Sequence, residues 1–210
     1  KEPDPEPEDD EPTDPIILDL TGNGLQAGRV ENGLHIDYNN DGFAEKISWA
    51  GEGNGVLVID SNNNGIVDNA NEILTSETLS SYDTNNDGKI DYQDENFNNL
   101  RISDSNGNLT TLDENGISSI STTVTGVNNV DENGNVRFAE GTYTKTDGTE
   151  MQYGEYKLVT NYKDTTETEL LEETETVSNL PDITGSGKLH SLRQAMLRDN
   201  SLLELVQNYV

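Results

Sequence analysis

The chain has 210 residues and no cysteine, with 41 acidic against 12 basic side chains and a formal net charge of -29. Self-repulsion on that scale excludes nucleic acid and anionic membrane surfaces as partners, because either would add to it. Hydrophobic residues make up 30% of the chain and aromatics 6%, too thin a supply for a core held by apolar burial alone, so bound divalent cations are the expected further source of folding free energy. No apolar run reaches the roughly 18 residues of a membrane span. No signal peptide opens the sequence, which reads as an internal piece of a larger protein. Without cysteine there are no disulfides and no thiol chemistry.

In chain order, residues 1–13 read as an acidic, Pro-rich, disordered linker; five of the six prolines fall within the first 15 residues. Asp14-Pro15 stands where this linker meets the first apolar segment. An Asp-Pro bond has its own chemistry. The carboxylate can attack its own carbonyl carbon, close a five-membered anhydride and expel the proline nitrogen, a basic leaving group; a fold that orients the carboxylate exploits a large effective molarity. Asp4-Pro5 in the same tail is a built-in control.

From Ile16 the composition turns to short apolar runs (IILDL, GLHIDY, GVLVID, NEIL) divided by Asp/Asn/Gly clusters. The clusters repeat the pattern Asp-x-Asn-x-(Asp/Asn)-Gly, whose alternate side chains converge on one ion while the glycine turns the chain. The fullest copy is DTNNDGKIDYQD, with Asp83, Asn85, Asp87, the Lys89 carbonyl, Asp91 and Asp94. DSNNNGIVDNANE offers Asp60, Asn62, Asn64, the Ile66 carbonyl, Asp68 and Glu72, the last standing one residue beyond the usual closing position. DYNNDGFAE offers Asp37, Asn39, Asp41, the Phe43 carbonyl and Glu45, but has Ser48 where a closing carboxylate belongs. DLTGNG, with Asp19, Thr21 and Asn23, is the weakest. Asp104, Asn106 and Asn108 share the spacing but lack the glycine. An all-oxygen donor set of this kind favours calcium over magnesium, which demands tighter geometry and keeps its waters. The competing reading is that Asn-Gly and Asp-Gly clusters simply make turns.

Residues 117–127 and 135–146 read as strands joined by a hairpin turn. Residues 159–178 are acidic and Thr-rich and read as a second linker. Beyond them, Leu189, Leu192 and Met196, then Leu202, Leu205, Val206 and Tyr209, have helical spacing, with Asn200 and Ser201 available as caps. The expected class is α+β: a small calcium-folded module over 14–158 with EF-hand-like loops, short helices and β-hairpins, followed by a helical pair within 179–210. His35 and His190 stand beside no pattern that announces a triad or a zinc site. Tyr143, Lys145 and Asp147 are candidates for orienting the Asp14 region or for plain strand positions.

DPIILDLTGNGLQ, GVLVIDSNNNGIVDNANEIL, the Asp83 loop and GTYTKTDGT at 141–149 together resemble the self-processing module of FrpC-type iron-regulated RTX proteins, over Asp14 to about Leu158. The resemblance implies that calcium folds the module and triggers cleavage of the Asp-Pro bond at its N-terminal edge. Asp14 would then be the cleaved residue and Pro15 the new N-terminus. It implies single-turnover chemistry, with the Asp end open to ligation onto a lysine amine of the same or another protein. It also implies a protein secreted from a Gram-negative bacterium, by type I secretion, to the medium or cell surface. The sequence departs from the family at Thr21 and Asn23, where aspartates are usual, and in the shortened segment SDSNGNLTTLDENG. The tail from Asn179 resembles the segment that follows such modules in large RTX adhesins. The rival expectation is an inert calcium-stabilised spacer of such an adhesin.

Overall fold

Ile16–Asp19 form strand β1, four consecutive buried residues that lie at the centre of the molecule. A computed structural model describes residues 14–209; the acidic stretch 1–13 and its Asp4-Pro5 bond lie outside the described residues. After β1 come β2 (Leu34–Ile36), β3 (Phe43–Ile47), β4 (Asn54–Ile59), a single helical turn α1 (Ser76–Leu79), β5 (Lys89–Asp91), β6 (Leu100–Ser103) and β7 (Leu109–Thr111). The chain continues through β8 (Ile117–Ser121), β9 (Thr125–Val130), β10 (Val136–Lys145), β11 (Glu150–Lys157) and β12 (Thr160–Glu167). It ends in α2 (Glu175–Ser178), α3 (Leu192–Arg198) and α4 (Asn200–Gln207).

The expected α+β class is overturned. Nine strands form one curled antiparallel sheet in the order β5-β8-β10-β11-β1-β4-β6-β7, with β9 beside β10, and β12-β3-β2 form a second sheet. Among the described residues the four α-helices span only four, four, seven and eight residues. The EF-hand expectation fails for a local reason. Beyond the glycine turn the chain does not enter a helix: residues 43–47 run into β3 and residues 89–91 into β5.

Both faces of the β1–β4 centre are buried, which explains why IIL and GVLVI read as continuous apolar runs without the alternation of a half-exposed strand. Ile16, Leu18 and Leu57 join Leu74, Leu79, Ile90, Tyr143 and Tyr153 on one face. Ile17, Val56 and Val58 join Ile36, Ile47, Trp49, Tyr156 and Leu158 on the other. Trp49 donates its indole N–H to Ser103 Oγ at 3.0 Å, so its one polar atom is paired inside the core.

Residues 160–167, expected within a linker, are instead an edge strand. Thr160 pairs with Ile47 and Glu167 with Phe43, across a bulge between Asn161 and Thr165. Threonine is a good strand residue, and the run of charges concealed it. The last helices are capped by Ser191 and by Asp199, whose carboxylate accepts the Ser201 and Leu202 N–H groups. Asp199 thus takes the capping role expected of Asn200 and Ser201. No helix among the described residues is long and apolar enough to cross a membrane.

Candidate functional site

Three loops carry one backbone conformation. In each, the first aspartate accepts two N–H groups. Asp37 accepts those of Asp41 and Gly42, both at 3.0 Å; Asp60 accepts Asn64 (3.0 Å) and Gly65 (3.1 Å); Asp83 accepts Asp87 (3.1 Å) and Gly88 (2.9 Å). The third-position amides of Asn39, Asn62 and Asn85 accept the fifth residue's N–H at 3.2, 2.9 and 2.9 Å. The fifth side chains, Asp41, Asn64 and Asp87, accept the N–H of Phe43, Ile66 and Lys89. Asn40, Asn63 and Asn86 have φ of 56, 58 and 59° and Gly42, Gly65 and Gly88 have φ of 90, 81 and 89°. A Cβ at these glycines would meet nothing within 4 Å, so the glycine requirement is one of backbone angle and not of space. Asparagine at the fourth position serves the same left-handed turn.

Loops two and three are closed alike, although their spacing differs. Asp94, 4% exposed, accepts the Thr84 N–H (2.7 Å) and hydroxyl (2.9 Å) and, on its other oxygen, the Asp91 N–H at 2.9 Å. Glu72, fully buried, accepts the Ser61 N–H (3.1 Å) and hydroxyl (3.0 Å) and the Asp68 N–H at 3.2 Å. A 3-10 turn over Ala70–Glu72, capped by Asn69, together with the longer Glu arm, absorbs the extra residue. Burial pushes the Asp94 carboxyl up, but the Asp91 N–H and the Thr84 groups outweigh it and hold the group below its ordinary range. Asp91 is held low chiefly by Lys89, whose Nζ lies 2.5 Å from its carboxylate.

Loop one is closed by distant chain. Thr168 donates its hydroxyl to Asp37 at 3.1 Å and Lys188 Nζ stands 2.7 Å from Asp41. Glu45 is fully buried with neither carboxylate oxygen hydrogen-bonded, and the Ser48 hydroxyl is likewise buried without a partner. Burial pushes Glu45 up to about 7, against its own backbone N–H; Asp41 and Asp37 raise it further and Lys188 opposes. In the cation-free chain, Glu45 therefore binds its proton more tightly when folded than when unfolded. Its contribution to stability is expected to be present below about pH 4.5 and lost as pH rises through about 7. Melting temperatures of chelator-treated protein should fall across this window, and Glu45→Gln should flatten the fall.

The remaining candidates do not reproduce this pattern. Asp19 accepts the N–H groups of Thr21 (3.2 Å), Gly22 (2.8 Å) and Gly24 (2.8 Å), while Asn23 donates its amide to Thr21 Oγ1. Asp104 accepts Asn106 and Asn108 N–H groups and closes the β6–β7 hairpin. Tyr143 and Lys145 do not orient Asp14; they donate to the carbonyls of Asp19 (2.7 Å) and Leu20 (2.8 Å) at the opposite end of β1. His35 pairs with Asp164, and His190 pairs with Glu167 while its ring lies 4.9 Å from that of Phe43.

Among the described residues no three His, Cys, Asp or Glu side chains gather into a metal-competent group. Each of the three loops instead mixes carboxylates with Asn and main-chain oxygens. That donor set suits a hard cation taking six to eight oxygens. The two buried Glu45 oxygens without a side-chain or neighbouring partner are a place that a proton or a cation would satisfy.

Asp14-Pro15 opens β1. Asp14 is half-buried and Pro15 buried. The Pro15 carbonyl accepts the Tyr156 N–H at 3.0 Å, and the Ile16 N–H donates to Leu74 O at 3.1 Å. Leu74 stands two residues after Glu72, and the next turn is pinned by Glu155, which accepts the Ser76 N–H at 2.8 Å. The closed second loop and the Asp14-Pro15 segment are thus joined by two residues of chain and the single hydrogen bond from Ile16 to Leu74.

The SPM domain family matches residues 16–159, beginning one residue after Pro15. This chain belongs to the SPM domain family. It is also 31% identical over 221 aligned residues to the iron-regulated protein FrpA of Neisseria meningitidis serogroup C. The alignment covers 93% of this chain and 20% of FrpA, so the chain spans about a fifth of that relative's length. The SPM match ends at the start of β12, and the segment that closes loop one through Thr168 and Lys188 lies beyond it.

Proposed function

We propose that this SPM chain is a calcium-dependent, single-turnover self-processing unit that cleaves its own Asp14-Pro15 bond. The observation that supports the reading is that Leu74, two residues after Glu72, holds the Ile16 N–H and so places an oxygen-lined loop one peptide away from the bond with intrinsic Asp-Pro chemistry. The ions are held by Asp60, Asn62, Asn64, the Ile66 carbonyl, Asp68 and Glu72 in loop two, and by Asp83, Asn85, Asp87, the Lys89 carbonyl, Asp91 and Asp94 in loop three. Loop one offers Asp37, Asn39, Asp41, the Phe43 carbonyl and Glu45. Bound calcium supplies the positive charge that neutralises these carboxylates and so stabilises the folded chain.

The reaction itself belongs to Asp14. Its carboxylate attacks its own backbone carbonyl carbon, the C–N bond breaks, and the Pro15 nitrogen leaves with the electron pair and takes a proton from solvent. The cyclic anhydride then opens with water, or with a lysine amine to leave an Asp-Lys isopeptide bond. The FrpA relationship supports a protein that works outside the cell or on its surface.

To test the chemistry, chelator-treated protein is given millimolar calcium with a large excess of a small primary amine. An upstream fragment ending in an amide of that amine at Asp14 is the expected product. An upstream fragment that never carries the amine, at any concentration, would contradict the anhydride. Lys188→Ala should tighten cation binding at loop one by up to roughly fivefold, since it removes an exposed ion pair worth about 0.2–1 kcal/mol that competes for Asp41. Calorimetric titration reads this directly.

A further inference from the structure

We infer that Lys157 is the intramolecular acceptor of the activated Asp14 end, so that part of the chain rearranges into a branched isomer instead of falling into two fragments. This inference rests on the proposed Asp14-Pro15 cleavage and names where its product goes. The β1–β11 register pairs Ile16 with Glu155, Ile17 with Gly154 and Leu18 with Tyr153. It continues outward, since the Tyr156 N–H donates to the Pro15 carbonyl at 3.0 Å. One further step sets Asp14 opposite Lys157, the last residue of β11.

The same bond identifies Pro15/Tyr156 as a hydrogen-bonded position, so Asp14/Lys157 falls at a non-hydrogen-bonded position, where facing side chains come closest, with Cβ atoms about 4.5–5.5 Å apart. A lysine arm spans that gap. Lys157 is exposed at the rim of the sheet, so its amine can lose a proton to solvent and approach the carbonyl. The other lysines of the sheets, Lys145 on β10, Lys89 on β5 and Lys46 on β3, stand on strands that do not pair with β1, and Lys188 follows the last strand. Lys163 stands on β12 in the other sheet.

The step balances without an added reagent. Lys157 Nζ forms a bond to an anhydride carbonyl carbon, the carbon–oxygen bond of the ring breaks, the released carboxylate keeps that electron pair, and the amine gives its proton to solvent. Overall, the Asp14-Pro15 amide is exchanged for an Asp14-Lys157 amide. No water is consumed, so the isomer has the mass of the starting chain, whereas hydrolysis adds one water across two fragments. Because the anhydride forms while Asp14 is still opposite Lys157, the neighbouring amine competes with bulk water at a high effective concentration.

The test uses the full chain and its Lys157→Arg variant, which keeps the cation but has no acylatable amine, each chelated and then given calcium. For the parent chain, we expect a product of unchanged intact mass, altered electrophoretic mobility, a second N-terminus at Pro15 and a protease-resistant peptide joining Asp14 to Lys157. In Lys157→Arg that product should be lost completely, while fragments from hydrolysis persist and circular dichroism stays unchanged. Cleavage with linkage only to other lysines, or with hydrolysis alone, would overturn Lys157 as acceptor and leave the self-processing reading standing. No new N-terminus at Pro15 in either chain would overturn both.

Discussion

Asp14→Ala is expected to abolish the fragment that begins at Pro15 while leaving the fold in place. A well-oriented internal nucleophile is worth an effective molarity on the order of 10^5 M or more, so its removal should slow release at least a thousandfold by that account. The side chain is only half-buried just ahead of β1, and the backbone bonds that seat Pro15 and Ile16 do not involve it. The cost in stability should therefore stay within roughly 1 kcal/mol. Asp14→Glu gives a finer reading. It keeps the charge but must close a six-membered ring from a displaced carboxylate, so it should react far more slowly than the parent. Intact mass after calcium addition separates the three chains, and a Pro15 fragment from Asp14→Ala at the parental rate would remove Asp14 from the chemistry.

The second large effect is expected at Glu72. Its buried carboxylate accepts the Ser61 N–H and hydroxyl and the Asp68 N–H, and Glu72→Ala strands those donors inside the protein. A loss of roughly 2–5 kcal/mol follows from leaving buried partners of a charged group unsatisfied. Asp94→Ala removes the same three bonds from loop three and should cost a similar amount. The two differ in where they act. Glu72 lies next to the Leu74 carbonyl that grips Ile16, whereas Asp94 lies beside β5 at the far edge of the nine-stranded sheet. Under conditions where both variants are folded, cleavage should slow much more in Glu72→Ala. Denaturant unfolding together with cleavage rates measures both quantities, and equal rates in the two variants would break the proposed link between loop two and the reactive bond.

The loop positions were legible because their bonds are local: Asp37, Asp60 and Asp83 each reach residues four and five ahead, and spacing alone encodes that reach. Equivalence of Glu72 and Asp94 was not legible, since it depends on a 3-10 turn that no spacing rule anticipates. The α+β expectation failed because calcium-type loops suggest flanking helices, whereas here the two-faced burial of β1 and β4 decides the architecture. β12 was hidden by its charges, and with it the closure of loop one by Thr168, which lies 131 residues from Asp37 in sequence. Tyr143 and Lys145 were sensible candidates from their chemistry, yet only the strand register reveals that they hold Asp19 and Leu20 and not Asp14. The inferred facing of Asp14 and Lys157 extends the β1–β11 register outward and left no mark in the local sequence.

In the proposed function, folding around the loops switches on the Asp14-Pro15 bond. The most direct measurement follows far-UV circular dichroism and fragment mass in one sample of chelator-treated protein as calcium is added. A chain with a new N-terminus at Pro15 is expected to accumulate only once the folded signal has formed, and to be absent when magnesium replaces calcium. Complete folding with Asp14-Pro15 intact over many hours would contradict it and leave the loops as structural supports alone.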